Sequence, residues 1–508
     1  MRHAPQVLTM EGDSSGDARG ARLDPGVSME WLGTGDYDVA RQILQRGVAA
    51  LYVVAFLNVV AQFRPLLGAH GLLPAPRYIA RTSGKHAPSV FRWHYSDRFV
   101  LLVAWCSVAL ALTVVTGWAQ SGPPWVPLVV FLVLWVAYLS VVNIGQTFYA
   151  FGWESLLLEA GFLVAFLGSD DSAAPVTVLV LARWLVFRLE LGAGLIKMRG
   201  DTAWRDLTAL DYHHETQPIP GPFSWHAHHL PRWWHRTEVV GNHVTQLVVP
   251  FLLFAPQPVA SVAAAVVVLT QAWLVATGNF AWLNALTMVL ACAAISDDVW
   301  DAVLPGDLAG ASGGGAQGMP VSFGVVVLAV SALLAVLSYR PARNLVSRDQ
   351  LMNASFDRWR LVNAYGAFGS ITRRRQEVVV EGTLAEDPTE EDWVEYPFKG
   401  KPGDPSRRPR QLAPYHLRLD WLMWFLALGS PDDRWFRALL LRLLEADRPT
   451  LRLLAHDPFD GRPPRYVRAR VLDYRYTTRA ERHETGDWWV RTSAGTLVRP
   501  VRQAKPPT

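Results

Sequence analysis

An ionisable side chain inside an apolar run is expensive in lipid, so it marks a place where chemistry or a helix contact is specified. The run at 173–196 carries Arg183, Arg188 and Glu190, with Lys197 just past its end. Arg183, Glu190 and Lys197 fall seven residues apart, nearly on one stripe of a helix. Glu154 and Glu159, on the short apolar segment before it, are natural partners for Arg183 and Arg188. The simpler expectation for these six groups is a structural charge network that fixes helix register. The chemical alternative makes Lys197 a base tuned by Glu154, Glu159 or Glu190, because a desolvated Lys gives up its proton where Arg does not. A Lys at the end of an apolar helix also snorkels to the interface, and the pattern alone fixes no catalytic residue.

The stretch after Lys197 concentrates histidine: His213, His214, His226, His228, His229, His235 and His243 are seven of the 14 in the chain. Their spacing matches no zinc signature and acids are few beyond Glu215, so no metal is expected. Trp225, Trp233 and Trp234 are interleaved with them, the pattern of an amphipathic segment at the membrane interface. A serine nucleophile elbow, a P-loop, a dinucleotide fingerprint and HExxH are all missing. Neither a soluble hydrolase nor a nucleotide-driven pump is indicated, and no cofactor is expected. Cys106 and Cys292 sit in apolar runs and read as small buried hydrophobes.

Holding such groups in place requires a membrane bundle, and the composition supplies one. Of 508 residues 51% are hydrophobic and 18% are charged; soluble proteins run at about 25% charged. The 22 tryptophans suit membrane–water interfaces. With a net charge of +4 and its basic residues scattered, the chain offers nothing to nucleic acid. Apolar runs lie at 47–62, 99–118, 125–142, 155–168, 173–196, 244–255, 259–277, 280–295 and 321–339. They predict about eight or nine hydrophobic segments, the shortest of them tilted or re-entrant. Pro256, Pro258 and Gly278-Asn279 mark turns, and Asn279 with Asn284 hints at the broken helix of a transporter. Residues 1–40 form a polar tail without a signal-peptide core, so the first span is expected to act as the targeting signal. The loop at 65–98 is basic, whereas that at 296–319 holds Asp297, Asp298, Asp301, Asp307 and the linker GASGGG. The positive-inside rule then places residues from 340 onward in the cytoplasm.

Beyond Arg340 the composition changes. Segments 377–382 (EVVVEG), 393–398, 466–476 (YVRARVLDYRY) and 488–491 read as strands, with helices over 417–428 and 433–444 between them. The expected fold is a multi-pass α-helical membrane bundle over 41–340, its Trp/His-rich loop at 197–240, followed by a C-terminal β-rich α+β soluble domain over 341–508.

Four strings carry a resemblance: GWESLLLEAGFLVAFL from Gly152, then RWLVFRLELGAGLIKMRGDTAWRDLTALDYHHETQPIPGP, NAYGAFGSITRRRQEVVVEGT and EYPFKGKPGDPSRRPRQLAPYHLRLDWLMWF. In this order they resemble the lipase maturation factor family over most of the chain. The resemblance implies a membrane-embedded, chaperone-like factor that helps dimeric lipases fold and assemble, with the client lipase and membrane lipid as partners. It marks Asp201, Trp204, Asp211, His213, His214, Gln217 and Pro218 as family positions in the loop. It also makes Arg358, Trp359, Asn363, Tyr365, Phe368, Arg373, Tyr415, His416, Arg418, Asp420 and Trp421 candidates for client binding. Eukaryotic members reside in the endoplasmic reticulum with this domain in the lumen, opposite to the charge reading. Lys occurs only at 85, 197, 399, 401 and 505, an Arg-rich bias that points to a bacterial chain and hence to the plasma membrane. Gly400 and Arg410 stand where the family has cysteines, so no disulfide-linked role is carried over. A shorter likeness, Gly194-Leu195-Ile196-Lys197-Met198 with Trp204 downstream, resembles vitamin K-dependent γ-carboxylases and HTTM-type membrane domains. It implies the alternative function, an enzyme acting on a lipid or quinone with Lys197 as base. An oligomeric state does not follow from these residues.

Overall fold

The computed structural model describes residues 29–303, 319–429 and 434–502. Most of the polar tail, Asp307 and the GASGGG linker lie outside the described residues. Helix starts follow local chemistry. α1 (Asp38–Leu67) opens on an acid and stops at Gly68, and α2 (Asp97–Val115) is capped by Ser96, whose Oγ accepts the Phe99 N–H. α3 (Trp125–Ile144) follows Pro124, α4 (Gly152–Val164) comes next, and α5 (Val176–Arg199) follows Pro175. The Trp/His-rich loop folds as short helices, among them α6 (Leu210–Thr216), and leads into α7 (Arg232–Leu247). α8 (Val259–Thr277), α9 (Leu283–Ala291) and α10 (Val321–Leu337) complete the bundle.

Among the described residues five helices are long and apolar enough to cross a membrane: α1, α2, α3, α8 and the stretch Val321–Val346 that begins with α10. Of the nine apolar runs, the other four fall short of that length or composition. α4 has 13 residues, about 20 Å at 1.5 Å each, and is almost wholly buried. The run at 244–255 divides at Val248, just before Pro250, into the end of α7 and the single turn Val249–Leu252. α9 has only nine residues. α5 has the length, with 24 residues, but its charges keep it from qualifying on composition. α1 is central, with Tyr52 and Phe56 buried edge-on against Tyr138 of α3. α2, α8 and α10 leave apolar side chains such as Trp105, Leu269 and Val336 exposed, as lipid-facing helices do.

The C-terminal region holds a four-stranded antiparallel sheet: β1 (Arg375–Thr383), β2 (Val394–Glu395), β3 (Tyr466–Tyr476) and β4 (Trp489–Val501), ordered β2-β1-β3-β4. Val380 pairs with Ala469 and Tyr476 with Trp489. Val378 and Val380 face the main core, whereas Val379 turns to Leu472, Tyr474, Tyr476, Trp489 and Trp225 from the loop. With both faces covered, β1 reads as a continuous Val run rather than an alternating one. α11 (Arg418–Ala427) and α12 (Arg434–Leu444) pack on β1 and β3. The region does not stand apart from the bundle, because one buried apolar cluster runs from α1 through to β3.

Candidate functional site at the junction of bundle and sheet

Three buried polar clusters join the two parts, and the predicted site residues converge on them. The first centres on Glu154 in α4. Its Oε1 accepts from Arg418 Nη1 at 2.6 Å, and Tyr138 Oη donates to its Oε2. Arg418 also donates to Asn58 Oδ1 (2.9 Å) and the Phe148 carbonyl (2.7 Å), and its guanidinium lies 3.5 Å over the Tyr149 ring. Asn58 and Gln62 of α1 both donate to the His416 carbonyl, at 2.5 and 2.8 Å. The first turn of α11 is thus plugged into α1 and α4. Burial, with the Arg418 charge beside it, holds the His416 imidazole down to about 4, so it is neutral at physiological pH.

The second cluster is built on Glu159. Arg188 pairs with its Oε1, while Asn363 N, Asn363 Nδ2 and Tyr365 Oη donate to its Oε2 at 2.9, 2.9 and 2.7 Å. Arg188 Nη1 returns a bond to the Asn363 carbonyl at 2.6 Å. A carboxylate with three donors and a guanidinium is the arrangement a buried charge needs. The segment carrying Asn363 and Tyr365 can lie on α5 because Gly192 and Gly200 lack a Cβ. A Cβ there would stand 2.4 Å from the Tyr365 carbonyl oxygen and 2.1 Å from that of Gly369.

The third cluster ties the Trp/His-rich loop to the strands. Asp201 Oδ1 and Oδ2 accept from Arg373 at 2.7 and 2.9 Å, and Trp204 Nε1 donates to the Phe368 carbonyl at 2.8 Å. Arg375 donates to the Glu215, Gln217 and Pro218 carbonyls and pairs with Glu377, which Lys401 Nζ approaches to 2.9 Å. Trp225 Nε1 donates to the Thr477 carbonyl at 3.0 Å, and Asn279 Oδ1 accepts from Leu412 N and Ala413 N at 2.6 and 2.8 Å. Hydrogen bonding from Arg373 holds the Asp201 carboxyl below the usual carboxylate range.

The charge stripe is therefore only partly a network of its own. Arg188 does meet Glu159, but Glu154 takes Arg418, a partner from outside the bundle. Arg183 donates to the Ala293 carbonyl at 3.0 Å and covers the Tyr37 ring. Lys197 donates to Asn242 Oδ1 (2.8 Å) and Gln246 Oε1 (2.9 Å), with Trp204 beneath it at 4.5 Å, and Gln271 donates to Glu190 at 2.7 Å. Lys197 is buried, which corrects the expectation that it snorkels to the interface: its amide partners lie inward. These amides border a cavity of about 360 Å³ between α5, α7, α8 and α9.

The loop histidines serve packing. His235 bridges Asp211 Oδ1 (3.1 Å) and the Ala227 carbonyl (3.0 Å), and burial lowers His213 to about 3 and His228 to about 4. Among the described residues no group of three or more His, Cys, Asp or Glu side chains is placed to hold a metal. Of the candidates for client binding, Asn363, Tyr365, His416, Arg418, Asp420 and Trp421 are buried. Their side chains are spent on hydrogen bonds and packing within the chain. Arg358, Trp359 and Arg373 are exposed, and Phe368 and Tyr415 are partly so. Sequence reasoning missed Asn58, Gln62 and the Glu377–Lys401 pair. The amides inside the first apolar run were the available signal, because a membrane helix seldom carries Asn and Gln without a buried partner.

Family models match both parts: the lipase maturation factor transmembrane domain over residues 39–302 and the lipase maturation factor C-terminal domain over 361–499. The chain is 40% identical to lipase maturation factor 1 of Bos taurus, over 92% of this chain and 90% of that protein. It is 39% identical to lipase maturation factor 1 of Homo sapiens, over 94% and 90%, and 31% identical to lipase maturation factor 2 of Homo sapiens, over 89% and 81%. No solved structure gives a significant match. These matches lend nothing to the enzyme alternative with Lys197 as base. Both halves of the chain place it in one group: it is an integral membrane protein belonging to the lipase maturation factor family.

Proposed function

We propose that this protein assists the folding or assembly of a lipase-type client exported across the membrane in which it resides, acting without turnover of its own. The observation that supports this reading most is the joining of the two family segments by the Glu154–Arg418 and Glu159–Arg188–Asn363 clusters. They hold the sheet against the bundle, so the client is engaged at a fixed distance from the bilayer. The edge strand β4 is the contact surface. It is paired on one side alone, by β3, and most of its residues from Ser493 onward are exposed. An open edge can accept a client strand by β-augmentation. Arg358 and Trp359, also exposed, are a second contact point.

The test replaces Leu497 and Val501, both exposed on β4, with lysine to block edge pairing. The double variant should keep the parent melting temperature while the specific activity of a co-expressed secreted lipase falls at least fivefold. Full lipase activity with that variant would remove β4 from the account.

A further inference from the structure

The cavity between α5, α7, α8 and α9 borders exposed apolar side chains of α8, the kind of surface that lipid covers. Its mouth is framed by Gly241 on α7 and by Leu269 and Trp273 on α8, a membrane-crossing helix, and Leu269 is 70% exposed. Its inner wall carries Glu190, Gln271 and Asn284, linked by hydrogen bonds of 2.7 Å (Gln271 to Glu190) and 2.6 Å (Asn284 to Gln271). Phe280 and Phe368 close the remaining side. At about 360 Å³ the space lies near the lower end of the range of about 300–1,000 Å³ typical of ligand pockets. That is room for one chain and a small head, not for a two-chain phospholipid.

The polar lining selects the head. Two carboxylates, Glu190 and Glu238, face the space. The nearby ammonium of Lys197 is already engaged by Asn242, Gln246 and the Trp204 ring. An anionic head would meet two acidic side chains and, among the described residues lining the space, no free cation. Asn284 Oδ1 and Glu238 Oε2 are buried acceptors without a donor, while the Asn242 and Gln246 amides and the Thr245, Thr270 and Thr287 hydroxyls also line the space. The lining therefore suits a head that both donates and accepts hydrogen bonds, as a hydroxyl does. From the exposed α8 rim, the apolar walls and these unpaired acceptors, we infer that the cavity binds a single-chain lipid with an uncharged, hydroxyl-bearing head, of the monoacylglycerol class. The inference is independent of how the client is engaged.

Purified full-length protein is irradiated with a monoacylglycerol carrying a diazirine in its chain, and labelled peptides are mapped. Labelling should fall within the four lining helices, 176–199, 232–247, 259–277 and 283–291, and be competed by unlabelled monoacylglycerol at least tenfold better than by the corresponding fatty acid, the long-chain amine or a phospholipid. A Cβ added at Gly241 meets nothing within 4 Å, so Gly241→Trp plugs the mouth without disturbing the helix. It should reduce labelling at least tenfold at an unchanged melting temperature. Leu269→Trp, at a lipid-facing position, serves the same purpose should the first variant misfold. Labelling outside these helices, equal competition by fatty acid or amine, or undiminished labelling in a folded plugged variant would each overturn the assignment.

Discussion

Replacing Arg418 with methionine tests how the C-terminal region is held. The guanidinium makes a 2.6 Å bond to Glu154, a 2.9 Å bond to Asn58 and a 2.7 Å bond to the Phe148 carbonyl, all fully buried. Methionine fills much of the volume but leaves the Glu154 carboxylate without its cation and two acceptors without a donor. Removing one partner of a buried pair costs about 3–5 kcal/mol, far above the value of an exposed pair. Changing both residues, Glu154→Gln with Arg418→Met, removes the stranded charge and lets Tyr138 hydrogen-bond a neutral amide. The double variant should therefore recover about 1–3 kcal/mol relative to the sum of the single changes. Trp153 and Trp421 pack against His416 at ring distances of 5.1 and 6.2 Å and report the opening of this junction by fluorescence. Thermal and denaturant melts of the full-length protein in micelles give the energies. A cost below about 1 kcal/mol for Arg418→Met, or strict additivity in the cycle, would refute the reasoning.

Three further outcomes follow from the same geometry. Asp201→Asn, in a pair whose Arg373 side chain is 43% exposed, should cost only about 1 kcal/mol in the same melts, because solvent screens the pair and asparagine keeps the bond to Ala203 N. His416 titrates near 4 when folded against an ordinary value of 6.5, so the unfolded chain binds its proton more readily. Stability should fall as pH drops from about 6.5 toward 4, and His416→Gln should flatten part of that acid limb in melts run across pH, leaving the share due to His213 and His228. The lysine pair at Leu497 and Val501 should lower lipase activity with no change in melting, read by enzyme assay beside a thermal scan.

The bundle and the strands were legible because apolar length and period-two alternation are local properties. Tyr466–Tyr476 matches its predicted strand residue for residue, since YVRARVLDYRY alternates visibly. Trp488 to Arg491 predicted only the start of β4, whose later residues are exposed and lack that alternation. The span count was less legible, because α4 and α9 are apolar through burial in protein rather than through contact with lipid. The least legible feature was the partner of each charge. Arg188 with Glu159 could be guessed within one bundle, but Glu154 with Arg418 lies 264 positions apart and nothing local encodes it. Residues such as Asn363 and His416, which stand out in the family strings, were expected at the client surface. The structure spends them on the junction instead, so the surface candidates reduce to Arg358, Trp359, Arg373, the partly exposed Phe368 and Tyr415, and the β4 edge.

The central claim is that the chain matures a lipase and needs the bundle and sheet joined to do so. Its most direct measurement is the specific activity of a secreted dimeric lipase, per mass of lipase protein, in cells lacking this protein and complemented with defined variants. A loss of at least tenfold is expected in the deletion, restored by the full chain and not by Arg418→Met or by a chain ending before residue 361. Unchanged specific activity in the deletion, or full rescue by the bundle alone, would contradict it.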